Sequence, residues 1–253
     1  MTDEKGSVTT GPPAAEPRDA GERRDEIAAR LAAVRARIAA ACAAAGRASS
    51  EVTLIAVTKT YPVSDIQLLG ELGVSDIGEN RDQEAAPKAA ACAALGLPVT
   101  WHFVGQLQTN KAASVVRYAQ VIHSVDRLRL ARALGTRARA AGRTVTCLVQ
   151  VSLDDDPARG GARGPEVAAV ADALAAEEGL VLGGVMAVAP LGAPADVAFG
   201  KLRLVADAVR VAHPGAVMIS AGMSDDLEQA IEAGATHVRV GTALLGGRRA
   251  FVR

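Results

Sequence analysis

Three features of the sequence predict an α/β chain folded as a single (β/α)8 TIM barrel. Eight short runs rich in Val and Ile alternate with seven alanine-rich stretches of helical character. The runs are almost continuously apolar, as strands covered on both faces of a parallel sheet must be. Their number is eight, whereas an open doubly wound sheet usually stops at about five to seven strands.

Taken in order, residues 1–22 hold Gly, Pro, Ser, Thr and charged residues with almost nothing large and apolar, so they are expected to be a disordered tail. From residue 23 to 46 the pattern changes. Ile27, Leu31, Val34 and Ile38 recur at helical spacing and Gly46 offers a stop, which predicts an extra amphipathic helix over one end or flank of the barrel. Strands are expected at 53–59, 76–80, 100–105, 121–126, 144–153, 181–189, 216–223 and 237–246. Helices are expected between them at 64–73, 81–95, 110–118, 127–141, 165–179, 195–212 and 224–234. Ser64, Asn110 and Ser224 are caps for these helices, and Gly73 and Gly234 are stops. Residues 23–253 thus read as one domain.

Composition narrows the function. The 28 basic and 28 acidic residues cancel, so no overall field favours nucleic acid or an anionic membrane as partner. Cys42, Cys92 and Cys147 are odd in number and far apart, which argues against a disulfide framework or a zinc knuckle, and no metal site is expected. No apolar run reaches about 18 residues, the length a membrane helix needs, and the N-terminus lacks an apolar signal stretch. The expectation is a soluble cytoplasmic protein. Only five of the 28 basic residues are lysines, so each lysine merits inspection.

In a barrel of this kind function collects at the C-terminal strand ends. The first strand runs into Thr58-Lys59-Thr60, so the stem of Lys59 is held by the barrel while its amine meets the mouth, as a carbonyl-directed nucleophile requires. A plain strand-end lysine reaching water is the competing reading. Gly222-Met223-Ser224 opens the seventh helix, where free N–H groups and a hydroxyl suit an anion, and Gly241-Thr242 adds a small-residue turn beside it. Simple helix capping by Ser224 is compatible with that role. A lysine beside a phosphate grip on the last two strands matches pyridoxal 5′-phosphate, which needs an amine for its aldehyde and an anion site for its phosphate.

The motifs Ala56-Val57-Thr58-Lys59-Thr60, Gly78-Glu79-Asn80, Trp101-His102-Phe103-Val104-Gly105, Leu107-Gln108-Thr109-Asn110-Lys111, Gly222-Met223-Ser224-Asp225-Asp226 and Val238-Arg239-Val240-Gly241-Thr242-Ala243 stand in order at these strand ends. Together they resemble the YggS/PROSC family of pyridoxal-phosphate homeostasis proteins, whose fold is like the N-terminal barrel of alanine racemase. The resemblance spans roughly residues 25–249. It implies that Lys59 carries the cofactor as a Schiff base and that Met223, Ser224, Gly241 and Thr242 cradle the phosphate. It also implies that Arg239 faces the pyridine nitrogen and that Asn80 lies along the ring. His102 is either a contact in the barrel lining or a hydrogen-bonded core histidine, and His123 reads as core. Three places depart from the family pattern: Pro157-Ala158-Arg159-Gly160-Gly161 after the fifth strand, Leu245 where an aromatic is usual, and Ala221 before Gly222.

Two functions follow from the resemblance. One is a carrier that binds the cofactor reversibly, serves its intracellular homeostasis and passes it to apoenzymes that require it. The other is an amino-acid racemase or related enzyme of weak activity. Racemisation takes two positioned acid–base groups. The resemblance implies that a racemase draws the second from a tyrosine near a second, β-rich domain, which is expected to be absent because the chain ends at Arg253. Tyr61 follows Lys59 too closely to oppose it, and Tyr118 is expected on a helix away from the mouth. An arginine at the ring nitrogen also makes the ring a weak electron sink. The carrier is the preferred reading, and a monomer is expected.

Overall fold

Parallel neighbours in a sheet need a crossover of a dozen or more residues, and the alanine-rich stretches supply it. The computed structural model describes residues 20–154 and 160–247. Its strands are β1 (Thr53–Val57), β2 (Asp76–Glu79), β3 (Thr100–Phe103), β4 (Val121–Val125), β5 (Val145–Gln150), β6 (Leu180–Met186), β7 (Met218–Ser220) and β8 (His237–Val240). They pair in parallel in chain order, and β8 returns to β1 with Thr53 opposite His237 and Ala56 opposite Val240, which closes the barrel. The helices are α1 (Ala20–Ala44), α2 (Val63–Glu71), α3 (Asp82–Ala94), α4 (Ala112–Tyr118), α5 (Leu128–Ala140), α6 (Pro165–Ala176), α7 (Ala195–Ala212), α8 (Leu227–Glu232) and α9 (Thr242–Leu245).

Most of the core lies between the strands and the helical ring. One cluster gathers Phe103, Ile122, Leu134, Leu174 and Phe199, and another gathers Ile77, Leu69, Ile231 and Leu244. The stripe Ile27, Leu31, Val34 and Ile38 joins the second cluster, so α1 lies against the barrel beside α8, α9 and α2. Each of these side chains, once buried, contributes roughly 1.5–3 kcal/mol. Inside the barrel a smaller group, Val121, Leu148 and Met186, packs with Met218.

The boundaries differ from the sequence-based expectation in an instructive direction. Helix α1 starts at Ala20, three residues before the expected 23, and residues 1–19 of the expected tail lie outside the described residues. Several strands stop early. β1 ends at Val57, leaving Lys59 in a turn closed by the Tyr61 N–H on the Thr58 carbonyl. The expected strand at 237–246 divides into β8, Gly241 and the four-residue α9. The expected helix at 224–234 starts only at Leu227, because Asp226 turns back to accept the Met223 N–H at 2.6 Å. Strand-end residues therefore sit in loops, as a site at the mouth requires. Among the described residues no helix is long and apolar enough to cross a membrane.

Candidate functional site

A cavity of about 370 Å³ opens at the C-terminal mouth. Lys59, Asn80, Met223, Ser224, Arg239, Gly241 and Thr242 all line it, joined by Val57, Tyr61, Val104 and Asp225. His102 does not line it. A larger cleft of about 560 Å³ between α6 and α7, half of whose lining is Ala and Val, holds none of these residues, so size does not pick out the site.

Lys59 is set by its neighbours. The buried Thr58 donates its hydroxyl to Glu79 Oε1 at 2.7 Å, and Lys88 Nζ donates to the Thr58 carbonyl at 2.8 Å and to Glu79 Oε1 at 2.6 Å. On the other side the Thr60 N–H donates to Glu84 Oε2 at 2.9 Å. Thr60 has φ 69°, the one non-glycine in the left-handed region among the described residues, where a β-branched side chain is strained. Lys59 is thus held between two anchored residues. Of the other lysines, Lys88 is committed to Glu79, and Lys111 lies 3.9 Å from Asp82 Oδ2 and does not line the cavity.

Arg239 supplies the positive charge. It is 5% exposed, donating Nη1 to Ser220 Oγ at 2.6 Å and Nη2 to the Ala187 carbonyl at 2.9 Å. Burial pushes its guanidinium down to about 10, with Asp226 opposing, so it stays charged at neutral pH. Asn80 Oδ1 is buried with no hydrogen-bond partner among the described residues, an arrangement that costs free energy unless a ligand completes it.

Next to Arg239, whose N–H donates to its carbonyl at 2.9 Å, Gly222 has φ 89°, and a Cβ there would stand 2.7 Å from the Ala230 Cβ, so only glycine fits this turn. The Ala243 N–H donates to Ser224 Oγ at 3.2 Å, tying the two small-residue turns together. The Met223 N–H, expected to face a phosphate, is taken by Asp226. An anion here shares that donor or relies on the groups around Ser224, Gly241 and Thr242.

His102 lies inside the barrel, 2% exposed, with Nδ1 2.9 Å from His123 Nε2 and Nε2 3.0 Å from Asp76 Oδ1. Of its two readings, the structure gives the hydrogen-bonded core histidine. The tyrosines are engaged as well. Tyr61 lines the cavity but donates its hydroxyl to the Gly246 carbonyl at 2.7 Å. Tyr118 packs edge-on against Trp101 with its hydroxyl 3.4 Å from Asp82 Oδ1, and burial drives its phenol far above the ordinary range. Leu245 and Ala221 are buried, whereas Pro157, Ala158 and Arg159 lie outside the described residues. Sequence reasoning missed Glu79, Glu84 and Lys88 as supports of Lys59. The scarcity of lysine was the available signal for Lys88.

Residues 29–249 match the family model described as the alanine racemase N-terminal domain, the class to which this barrel and its mouth belong. A pyridoxal phosphate homeostasis protein of Mycobacterium tuberculosis is 45% identical over 246 residues, covering 90% of this chain and 95% of that one. One from Escherichia coli is 37% identical over 228 residues, covering 88% and 97%. The solved structure of PipY from Synechococcus elongatus with pyridoxal phosphate bound is 35% identical, with a TM-score of 0.76 and coverage of 87% and 100%. The chain belongs to the pyridoxal phosphate homeostasis protein family.

Proposed function

We propose that this protein holds pyridoxal 5′-phosphate as a reversible Schiff base on Lys59 and acts in the intracellular homeostasis of that cofactor, without robust catalysis of its own. The observation that carries the reading is the convergence of Lys59, Asn80, Arg239, Ser224 and Thr242 on one cavity of about 370 Å³, within the range of small-ligand sites. The donor set fits the group. An amine stands ready for its aldehyde, a buried cation for its ring nitrogen, hydroxyls and a glycine turn for its phosphate, and the orphaned Asn80 for its ring face.

The cofactor, when bound, supplies an aldehyde. The Lys59 amine would hold the group through that aldehyde, and reversibly, because water or an incoming amine can displace it. Arg239 only donates hydrogen bonds, so it would hold a ring nitrogen as an acceptor and would supply no acid to strengthen the ring's pull on electrons. Racemisation needs a second positioned base, and Tyr61, the phenol at the cavity, is turned to the Gly246 carbonyl. The protein acts as a cytoplasmic monomer whose recipients are apoenzymes that require the cofactor.

The test is borohydride reduction of the protein mixed with pyridoxal phosphate, followed by peptide mapping and an assay for D-amino acids from L-alanine. Cofactor trapped on Lys59 with no D-enantiomer supports the reading. Label on Lys88 or Lys111 overturns the assignment of the lysine, and steady D-alanine overturns the carrier role.

A further inference from the structure

The barrel interior carries a run of polar side chains that the carrier function does not use, and it ends on Arg239, which that function does use. Asp76 Oδ1 lies 3.0 Å from His102 Nε2, and His102 Nδ1 lies 2.9 Å from His123 Nε2. His123 Nδ1 is 2.9 Å from Ser220 Oγ, which accepts from Arg239 Nη1 at 2.6 Å. These residues come from β2, β3, β4, β7 and β8, so the run crosses the barrel rather than following its wall. Arg239 brings one end to the cofactor cavity. Asp76, the first residue of β2, brings the other to a separate cavity of about 520 Å³ beside α1.

The chemistry of the groups gives the run a direction. An ionised carboxylate only accepts, so His102 donates from Nε2. A neutral His102 then accepts at Nδ1, which makes His123 the donor at Nε2 and the acceptor at Nδ1. Ser220 gives its hydroxyl hydrogen to His123 and accepts from Arg239, which has donors alone. Each bond thus pairs one donor with one acceptor, and no other arrangement of neutral rings does so. The surrounding groups agree. Burial, then the neighbouring His102, Arg239 and His237, hold His123 well below the ordinary imidazole range. Burial pushes His237, 6.4 Å from the His102 ring, down to about 4. The bond from His102 holds the Asp76 carboxyl below its usual value. A buried polar side chain without a partner costs free energy, and in this run every ring nitrogen has one.

We propose that Asp76, His102, His123 and Ser220 are positioning residues: the Asp76 carboxylate sets the direction of the run, and Ser220, together with the Ala187 carbonyl, holds the Arg239 guanidinium in one orientation at the cavity. The remaining Arg239 donors are then presented in a fixed direction. The proposal rests on the carrier reading only for what Arg239 meets there.

Side-chain nitrogen NMR of the ligand-free protein tests the run itself. Both rings should be neutral with the proton on Nε2, and Arg239 should show two separate Nη signals. Ser220→Ala and His123→Leu should merge those signals, whereas His123→Gln, whose amide donates from one atom and accepts at the other, should keep them apart. A protonated ring, a proton on Nδ1 of either ring, or separate signals in Ser220→Ala overturns the proposal. With pyridoxal phosphate added, Ser220→Ala and Asp76→Asn should shift the visible absorbance maximum and weaken binding about tenfold, as loss of a charge-assisted hydrogen bond does. Spectra and affinities unchanged in both variants overturn the positioning role. A wild-type protein with no visible band overturns the carrier reading alone, and the NMR still decides the run.

Discussion

Lys88 donates to the backbone carbonyl of Thr58 across 2.8 Å, and Thr58 is the residue that precedes Lys59. The same ammonium neutralises Glu79, whose side chain is 1% exposed. Lys88→Met leaves that carboxyl buried without a countercharge and should cost about 3–5 kcal/mol. The pH dependence has a definite sign. Burial already holds Glu79 above its ordinary value of 4.5, with Lys88 the main opposing influence. A carboxyl raised on folding contributes its stability fully below the unfolded value and loses it as pH rises through the folded one. Lys88 limits that loss. Urea unfolding at several pH values above 4.5 should therefore show the variant falling away from the parent as pH rises. Parallel profiles would mean that the two groups are not coupled.

Thr60→Gly should separate stability from function. Threonine at φ 69° carries strain that glycine lacks, while glycine adds about 0.5–1 kcal/mol of chain entropy to be lost on folding. The two effects nearly cancel, so thermal unfolding should move by no more than about 1 kcal/mol equivalent. The turn carrying Lys59 loosens, however, and affinity for pyridoxal phosphate should fall. An unchanged affinity would show that the Glu84 contact alone holds the turn.

The strand ends are legible because apolar runs give way there to polar residues, as at Thr58-Lys59-Thr60 and Glu79-Asn80-Arg81. Their supports are hidden for reasons of distance. His123 meets Ser220 97 residues along the chain, which takes closure of the barrel, and Arg23 meets Asp65 42 residues away, where α1 docks beside α2. Glu79 and Lys88 are just nine residues apart, but one is on a strand and the other on a helix, so neither periodicity connects them. Boundaries fail where apolar residues continue beyond the ladder. Ala187 and Val188 extend the pattern of β6, and Leu244 and Leu245 that of β8, although the latter pair is helical.

Asp226→Asn addresses the phosphate wall. Asp226 accepts the Met223 N–H beside the cavity, and Asn keeps an acceptor while removing a negative charge. A charge several ångströms from a phosphate near the surface is worth on the order of 1 kcal/mol. Binding of pyridoxal phosphate should tighten by roughly fivefold at low ionic strength, and the gain should shrink as salt is added. Weaker binding in the variant would place the phosphate elsewhere in the cavity.

The N-terminal helix is clamped to the mouth through Arg23. Its Nη2 lies 2.6 Å from Asp65 Oδ2 and 3.1 Å from the Leu245 carbonyl, and its Nε lies 3.3 Å from Asp65 Oδ1. The guanidinium also stands 5.8 Å from the centroid of the Tyr61 ring, whose hydroxyl holds the Gly246 carbonyl. One side chain thus joins α1, α2, the end of α9 and a wall of the cofactor cavity. The ion pair is buried, at 8% and 5% side-chain exposure, so Arg23→Met should cost about 3–5 kcal/mol. Arg23→Lys should recover less than half, because a single ammonium cannot span both carboxylate oxygens and the carbonyl. Hydrogen exchange locates the effect. In Arg23→Met, amides of α1 and residues 244–247 should exchange faster while β5 and β6 keep their protection, and affinity for pyridoxal phosphate should fall as Tyr61 loosens. Faster exchange spread evenly over the barrel would make Arg23 a contributor to global stability and not a clamp on the mouth.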